Sequence, residues 1–150
     1  RNRQTTTLQT SREHLMTPSP PHKTVLQPLG WAKPKGYANG VAATGRTVAV
    51  AGQIGWNAQG QFESDELVAQ VRQALHNVMA VLAVAGAHGG HIVRMTWYVT
   101  NKRDYLAKAR DIGRAYRELV GDYDVAMSAV QVVALMEDRA LVEIEATAVV

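Results

Sequence analysis

Apolar residues recur along this chain at two different periods, and the changes of period mark its elements. Leu67, Val71, Leu75, Val78 and Leu82 follow one another at three- and four-residue steps, which predicts an amphipathic helix of about five to six turns, ended by Gly86. Ser64-Asp65-Glu66 precedes it and offers a capping hydroxyl and two acids for the positive first turn. A second stripe, Tyr105, Leu106, Ala109, Ile112, Tyr116 and Leu119, predicts a second helix capped by Asp104 and stopped at Gly121.

Strict alternation is the other period. From His91 to Thr100, Val93, Met95, Trp97 and Val99 alternate with Arg94, Thr96, Tyr98 and Thr100, as in a strand with one face in the core. Val48, Val50 and Ile54 fall on one face of an earlier strand, with Ala49, Ala51 and Gln53 on the other. Short apolar stretches on either side of Thr44-Gly45-Arg46 predict a hairpin that follows the turn-like Lys33-Pro34-Lys35-Gly36. Gly60 marks a further turn, and strands near residues 125–135 and 140–149 close the chain. The predicted order is β-β-α-β-α-β-β, an α+β domain with two helices on one face of a mixed sheet. Val48 to Ile54 and Ala126 to Leu135 carry apolar side chains on both faces, so the second face is expected to need cover, most simply by self-association.

Residues 1 to 23 are rich in Thr, Ser, Pro, Gln and Arg, and Leu8 and Leu15 are their only large apolar residues before Met16. Such a segment buries too little surface to offset its ordering entropy. A flexible extension is therefore expected over residues 1–30, with Met16 a candidate start, and a folded domain over 31–150. Charge divides the same way. The net charge of +3 is carried by residues 1–30, where Arg1, Arg3, Arg12 and Lys23 face Glu13 alone, and the other 120 residues balance 12 basic against 12 acidic side chains. A nucleic-acid partner, which needs a concentrated basic face, is not expected.

The absence of cysteine excludes disulfides, thiol catalysis and thiolate metal sites. No apolar run approaches the roughly 20 residues needed to span a bilayer, and the N-terminus lacks an apolar secretion segment. A cytoplasmic protein with no membrane partner is expected. His88 and His91 flank Gly89-Gly90 without a third ligand nearby, so no metal is expected. Phosphate-loop, dinucleotide and Ser-His-Asp signatures are missing, and no cofactor is expected.

Tyr37-Ala38-Asn39-Gly40, Ala51-Gly52-Gln53-Ile54, Ala126-Met127-Ser128-Ala129-Val130 and Val142-Glu143-Ile144-Glu145-Ala146 together resemble the Rid (YjgF-like) family of imine and enamine deaminases, over roughly residues 31 to 150. The resemblance implies a chorismate-mutase-like fold and a homotrimer whose sheets line a central barrel, with three sites in clefts between subunits. It also implies that Glu143, the first Glu of Glu-Ile-Glu, handles water, that Tyr37 packs on and hydrogen-bonds a small substrate, and that Gly52 and Ala129 line the cleft with their backbone. Two positions depart from the pattern. Ala51 stands where active members often carry Ser, and Met127 stands where the family usually has the arginine that holds a substrate carboxylate.

Hydrolysing an imine requires water to attack C=N, a proton on nitrogen and a group that positions or deprotonates the water. A partly desolvated carboxylate does the last of these, and Glu143 amid Leu141, Val142, Ile144 and Ala146 has the setting for it. Losing a buried charge partner costs about 2 to 5 kcal/mol, so Met127 predicts weak binding of 2-imino acids unless Arg94, Lys102, Arg103 or Arg139 substitutes. Trp56, in the loop after Ile54, is a candidate stacking surface. The nearest named activity in this wider family is 2-aminomuconate deaminase, since a conjugated planar amino-diacid suits a site with Trp56 and Tyr37. Two readings stay open: a cofactor-free hydrolase of a small imine or enamine, and a non-catalytic small-molecule-binding trimer that keeps the cleft.

Overall fold

The computed structural model describes residues 22–150. Six strands lie within them: β1 (Lys23–Leu26), β2 (Gly40–Ala43), β3 (Thr47–Ile54), β4 (Ile92–Val99), β5 (Ala126–Gln131) and β6 (Val142–Val149). The helices are α1 (Leu67–Val84), α2 (Lys102–Ala107) and α3 (Ala109–Leu119), with a short 3-10 turn at Gly89–His91. Strands β3-β6-β4-β5 form a mixed sheet in that order, and β1 and β2 form a separate antiparallel pair. Only β4 and β5 run parallel.

α1 packs on β3 and β6 and lies beside α3, so the helices cover one face of the large sheet. The expected stripe is the core: Leu67, Val71, Leu75, Val78 and Leu82 are all buried, against Met95, Trp97 and Ile144 from the sheet. α1 is 18 residues long with a mean hydropathy of 1.3, enough by composition to cross a membrane. Its buried stripe and the polar Arg72, Gln73, His76 and Asn77 between are the pattern of a core helix instead.

Several expectations are corrected at element ends and edges. Residues 1–21 of the expected extension lie outside the described residues, but Lys23–Leu26 within its bounds is paired with β2, Leu26 opposite Gly40. Thr44-Gly45-Arg46 is a corner rather than a hairpin, because β2 pairs with β1 while β3 pairs with β6. There Arg46 and Val150 exchange backbone hydrogen bonds, and a Cβ at Gly45 would collide with the Val150 carbonyl. Ser64 accepts the Glu66 N–H at 3.0 Å in a turn ahead of α1, and the helix itself begins at Leu67 without a side-chain cap. The second predicted helix is broken at Lys108 into α2 and α3, and its cap is Asn101, whose Oδ1 accepts from the Asp104 N–H at 3.0 Å.

The uncovered face of the sheet is also different from expectation. Residues in direct register share a face, and Arg94 with Ala126, Thr96 with Ser128 and Glu145, and Tyr98 with Val130 and Glu143 make this face chiefly polar. Alternation in β4 and β6 puts their apolar residues against the helices. The apolar residues on this face are the small Ala49, Ala51 and Ala126, the exposed Val130, and Ile54, which is in register with Glu143 and is buried.

Candidate active site

The residues expected to form one site separate into two groups on opposite faces of one sheet. Met127 is in register with Met95, and Ala129 with Trp97, so both point to the helix-covered side. Glu143 is in register with Tyr98 and points to the uncovered side.

On the uncovered side, a bulge shapes the seat of Glu143. Val50 pairs with Ala146 and Gln53 with Ile144, leaving Ala51 and Gly52 together opposite Glu145, the two-against-one arrangement that kinks a strand. Gly52 is thereby brought under the Glu143 side chain, where a Cβ would meet its carboxylate directly and its Cδ at 2.7 Å. The neighbouring acid is differently placed. Tyr98 donates its hydroxyl to Glu145 Oε1 at 2.7 Å, and this hydrogen bond, followed by burial and the charges of both acids, holds the Tyr98 pKa above the ordinary phenol value. Among the described residues Glu143 takes part in none of the ion pairs.

On the helix-covered side, Tyr37, Met127 and Ala129 line a cavity of about 440 Å³ with Trp97, Tyr105, Tyr116 and Tyr123. Tyr37 is held there by its neighbour: the Ala38 N–H donates to the Val125 carbonyl at 2.8 Å, and Ala38 bridges to Ala126 at the start of β5. The walls are aromatic. Trp97 meets Tyr105 edge-on at 6.4 Å and Tyr116 at 6.5 Å, and Tyr116 stacks on Tyr123 at 5.1 Å and 16°. Tyr123 donates to the Gly113 carbonyl at 2.9 Å, whereas Trp97 Nε1 and the Tyr116 hydroxyl are buried with no partner among the described residues. Burial chiefly, with Asp124, Tyr123 and Asp122 adding to it, pushes the Tyr116 pKa far above the ordinary phenol value, so it remains a proton donor.

Trp56 joins neither group. It packs on Phe62 at 6.2 Å, and its carbonyl accepts from Asn77 Nδ2 at 2.8 Å. Within one chain Trp56 is not among the residues that line the cavity with Tyr37. Of the basic residues considered as substitutes for arginine, Arg139 is engaged by Asp65 at 2.9 Å and lies over the Phe62 ring. Arg94 lies on the uncovered face with Thr96 and Glu145. The basic side chain that does line the cavity is Lys35, which sequence reasoning passed over; its one signal was its place in Lys-Gly-Tyr just before Tyr37.

His88 and His91 are used within the 3-10 turn. His88 Nδ1 accepts from the Gly90 N–H at 3.1 Å, and His91 Nδ1 accepts from the His88 N–H at 3.0 Å. Among the described residues no group of three His, Asp or Glu is placed to hold a metal ion.

Residues 31–150 match the family described as Endoribonuclease L-PSP. The chain is 39% identical over 106 residues to a RutC family protein of Haemophilus influenzae, covering 70% of this chain and 80% of that protein. It is 32% identical over 116 residues, 75% of this chain and 86% of the relative, to a protein of Salmonella typhimurium named 2-iminobutanoate/2-iminopropanoate deaminase. Among solved structures, the Yersinia pestis Rid-family protein YyfB, of unknown function, superposes with a TM-score of 0.75 at 35% identity, covering 86% of this chain and 99% of that one.

Proposed function

The chain belongs to the Endoribonuclease L-PSP family and is similar to Rid-family proteins, and on that premise we propose that it is a cofactor-free hydrolytic deaminase of a small imine or enamine. Imine deamination is present in the family, in the relatives named for it. The observation that carries the reading to this chain is the seat of Glu143 over Gly52: a carboxylate on an uncovered strand face, against backbone that has no side chain to block a ligand.

In the proposed reaction Glu143 takes a proton from water as its oxygen attacks the imine carbon, and nitrogen gains a proton. The resulting carbinolamine collapses to a carbonyl as the C–N bond breaks and ammonia leaves. Water and imine go to ketone or aldehyde plus ammonia, with no redox change.

Because Glu143 and the Tyr37–Met127 cavity face opposite ways in one chain, the proposal includes a second copy. In a homotrimer with sites between subunits, Glu143 of one copy serves the cavity of the next. The balanced charge of residues 31–150 supports a small molecule rather than nucleic acid as the partner, and a cytoplasmic location belongs to the same proposal. One observation favours a second reading, a non-catalytic binding trimer: Met127 removes the cation that the family resemblance places there. Glu143→Gln separates the two. Substrate binding is expected to survive and turnover to fall by at least about 10²-fold, as for a lost general base, with Glu145→Gln affected less. Unchanged turnover in a folded Glu143→Gln protein favours the binding trimer.

A further inference from the structure

Three of the five histidines meet where the chain passes from α1 into β4. The rings of His88 and His91 have centres 4.0 Å apart, and His22, just ahead of β1, meets His91 edge-on at 5.5 Å. His88 Nδ1 accepts the Gly90 N–H at 3.1 Å, and His91 Nδ1 accepts the His88 N–H at 3.0 Å. A ring nitrogen accepts only while it carries no proton. Both hydrogen bonds therefore need a bare Nδ1, and a proton added to either one sets N–H against N–H.

The surroundings offer nothing to hold that added charge. His22 Nδ1 and Nε2 face the Thr44 and Val149 carbonyls, so this ring is placed to donate from both nitrogens. Lys23, whose side chain is 8% exposed, donates to the Gly90 carbonyl at 3.4 Å and pairs with Asp124 at 2.9 Å, so the acid in this cluster is already engaged. Arg46, on the corner that holds His22, donates to the Ala85 carbonyl at 2.9 Å. Burial chiefly, with the neighbouring His88 and His22, keeps the His91 pKa below the ordinary value. The turn has little room to shift, because a Cβ at Gly89 would collide with the Val120 carbonyl just past α3.

The cluster is also joined to both ends of the loop that carries Tyr37. β1 leads from Lys23 to Leu26, opposite Gly40. Just beyond it, the Gln27 amide donates to the Trp31 carbonyl at 3.1 Å and accepts from Asn39 Nδ2 at 3.0 Å. At the other end, Asp124 precedes Val125, whose carbonyl receives the Ala38 N–H at 2.8 Å.

We propose that His22, His88 and His91 form an acid-released clasp: while unprotonated, His88 and His91 hold the 89–91 turn against the start of β1, and their protonation in mild acid frees β1 and loosens the Tyr37 loop. The clasp is independent of the deaminase reading. A histidine whose folded pKa is depressed binds fewer protons when folded, so its stability contribution is fully present above the unfolded pKa of about 6.5. That contribution is lost as pH falls through this value toward the folded one.

The test compares the full chain with a His88→Asn/His91→Asn double variant, whose amide oxygens can take the places of the two Nδ1 acceptors and do not titrate. In the unmodified chain at neutral to alkaline pH, nitrogen NMR is expected to show both rings as the Nε2–H tautomer. At one fixed protein concentration, its urea midpoint is expected to fall by about 0.5 M between about pH 8 and about pH 5.5, a window above the ordinary carboxylate range. The double variant is expected to lose less than half as much. Protection of the buried Ala38 amide from hydrogen exchange should fall about threefold or more over that window in the unmodified chain, and hold in the variant. An Nδ1–H tautomer at either ring, a flat urea midpoint, an equal fall in the double variant or unchanged Ala38 protection overturns the proposal. The tautomer and the unmodified-chain readouts need no variant to fold.

Discussion

Glu143 lies across Gly52 so closely that even one added methyl group at Gly52 would occupy the place of the carboxylate. The glycine's φ is not in the left-handed region, so its role here is space and not backbone freedom. Gly52→Ala is therefore expected to fold and to push the flexible Glu143 side chain aside. Turnover should fall at least about tenfold while the melting temperature moves by only a few degrees. Full activity in Gly52→Ala would show that the seat of Glu143 is unimportant.

In the proposed function, Met127 sets the choice between charged and neutral substrates. Ammonia release from 2-iminopropanoate or 2-iminobutanoate by the unmodified chain should be near background. Met127→Arg should tighten binding of pyruvate and 2-oxobutanoate by about tenfold or more, since a buried charge pair is worth about 2 to 5 kcal/mol on truncation. Efficient turnover of those imines without the substitution would show that Met127 does not exclude 2-imino acids.

Gln70 is the polar residue inside the core, 1% exposed. Its Nε2 donates to the Ser64 and Arg139 carbonyls at 3.0 and 2.9 Å, and its Oε1 accepts the Leu141 N–H at 2.8 Å. It thus ties the loop before α1 to the residue that leads into β6 and Glu143. Gln70→Leu, similar in size, strands those three backbone groups and should cost about 2 to 4 kcal/mol in denaturant unfolding. A loss under about 0.5 kcal/mol would mean that water replaces the amide.

Alkaline pH should unfold the chain through its tyrosines. Tyr116 and Tyr105 have raised pKa values mainly from burial, and Tyr98 from its hydrogen bond to Glu145. A phenol whose folded pKa lies above the unfolded value of about 10 contributes stability that is fully present below pH 10 and lost as pH climbs toward the folded pKa. Stability is thus expected to carry no tyrosine-dependent slope at neutral pH and to fall above about pH 10. In an ultraviolet titration some of the five tyrosines should ionise only on unfolding, and Tyr116→Phe should make the alkaline fall shallower. Complete ionisation of all five in the folded protein near pH 10 would contradict the burial of Tyr116.

Elements with a local period were legible in the sequence. The Leu67-to-Leu82 stripe and the Met95, Trp97 and Val99 alternation are buried as read, because each follows from the geometry of one helix or one strand. What was not legible depends on partners far away in the chain. Thr44-Gly45-Arg46 reads as a hairpin locally, but its closing contact is Val150, and nothing near Gly45 announces that. The α2–α3 break at Lys108 falls inside a continuous apolar stripe. Site residues show the same limit: Glu143 and Met127 were identified by resemblance, and only strand register reveals that they face opposite sides of the sheet. Lys35 and the unpartnered donors of Trp97 and Tyr116 come together only through packing.

A mixing experiment reads whether Glu143 of one copy completes the cavity of another, as proposed. Glu143→Gln removes the water-handling group, and Ala129→Trp fills the cavity from β5, so each protein alone should be inactive toward an imine that the unmodified protein hydrolyses. Unfolded together in equal amounts and refolded, they should assemble at random, and sites that pair an intact Glu143 with an intact cavity should restore about a quarter of the unmodified activity. Recovery near that level, in particles of three times the 16.3 kDa chain mass, is the predicted result. A mixture no more active than its two components, although folded and assembled, would contradict the shared site.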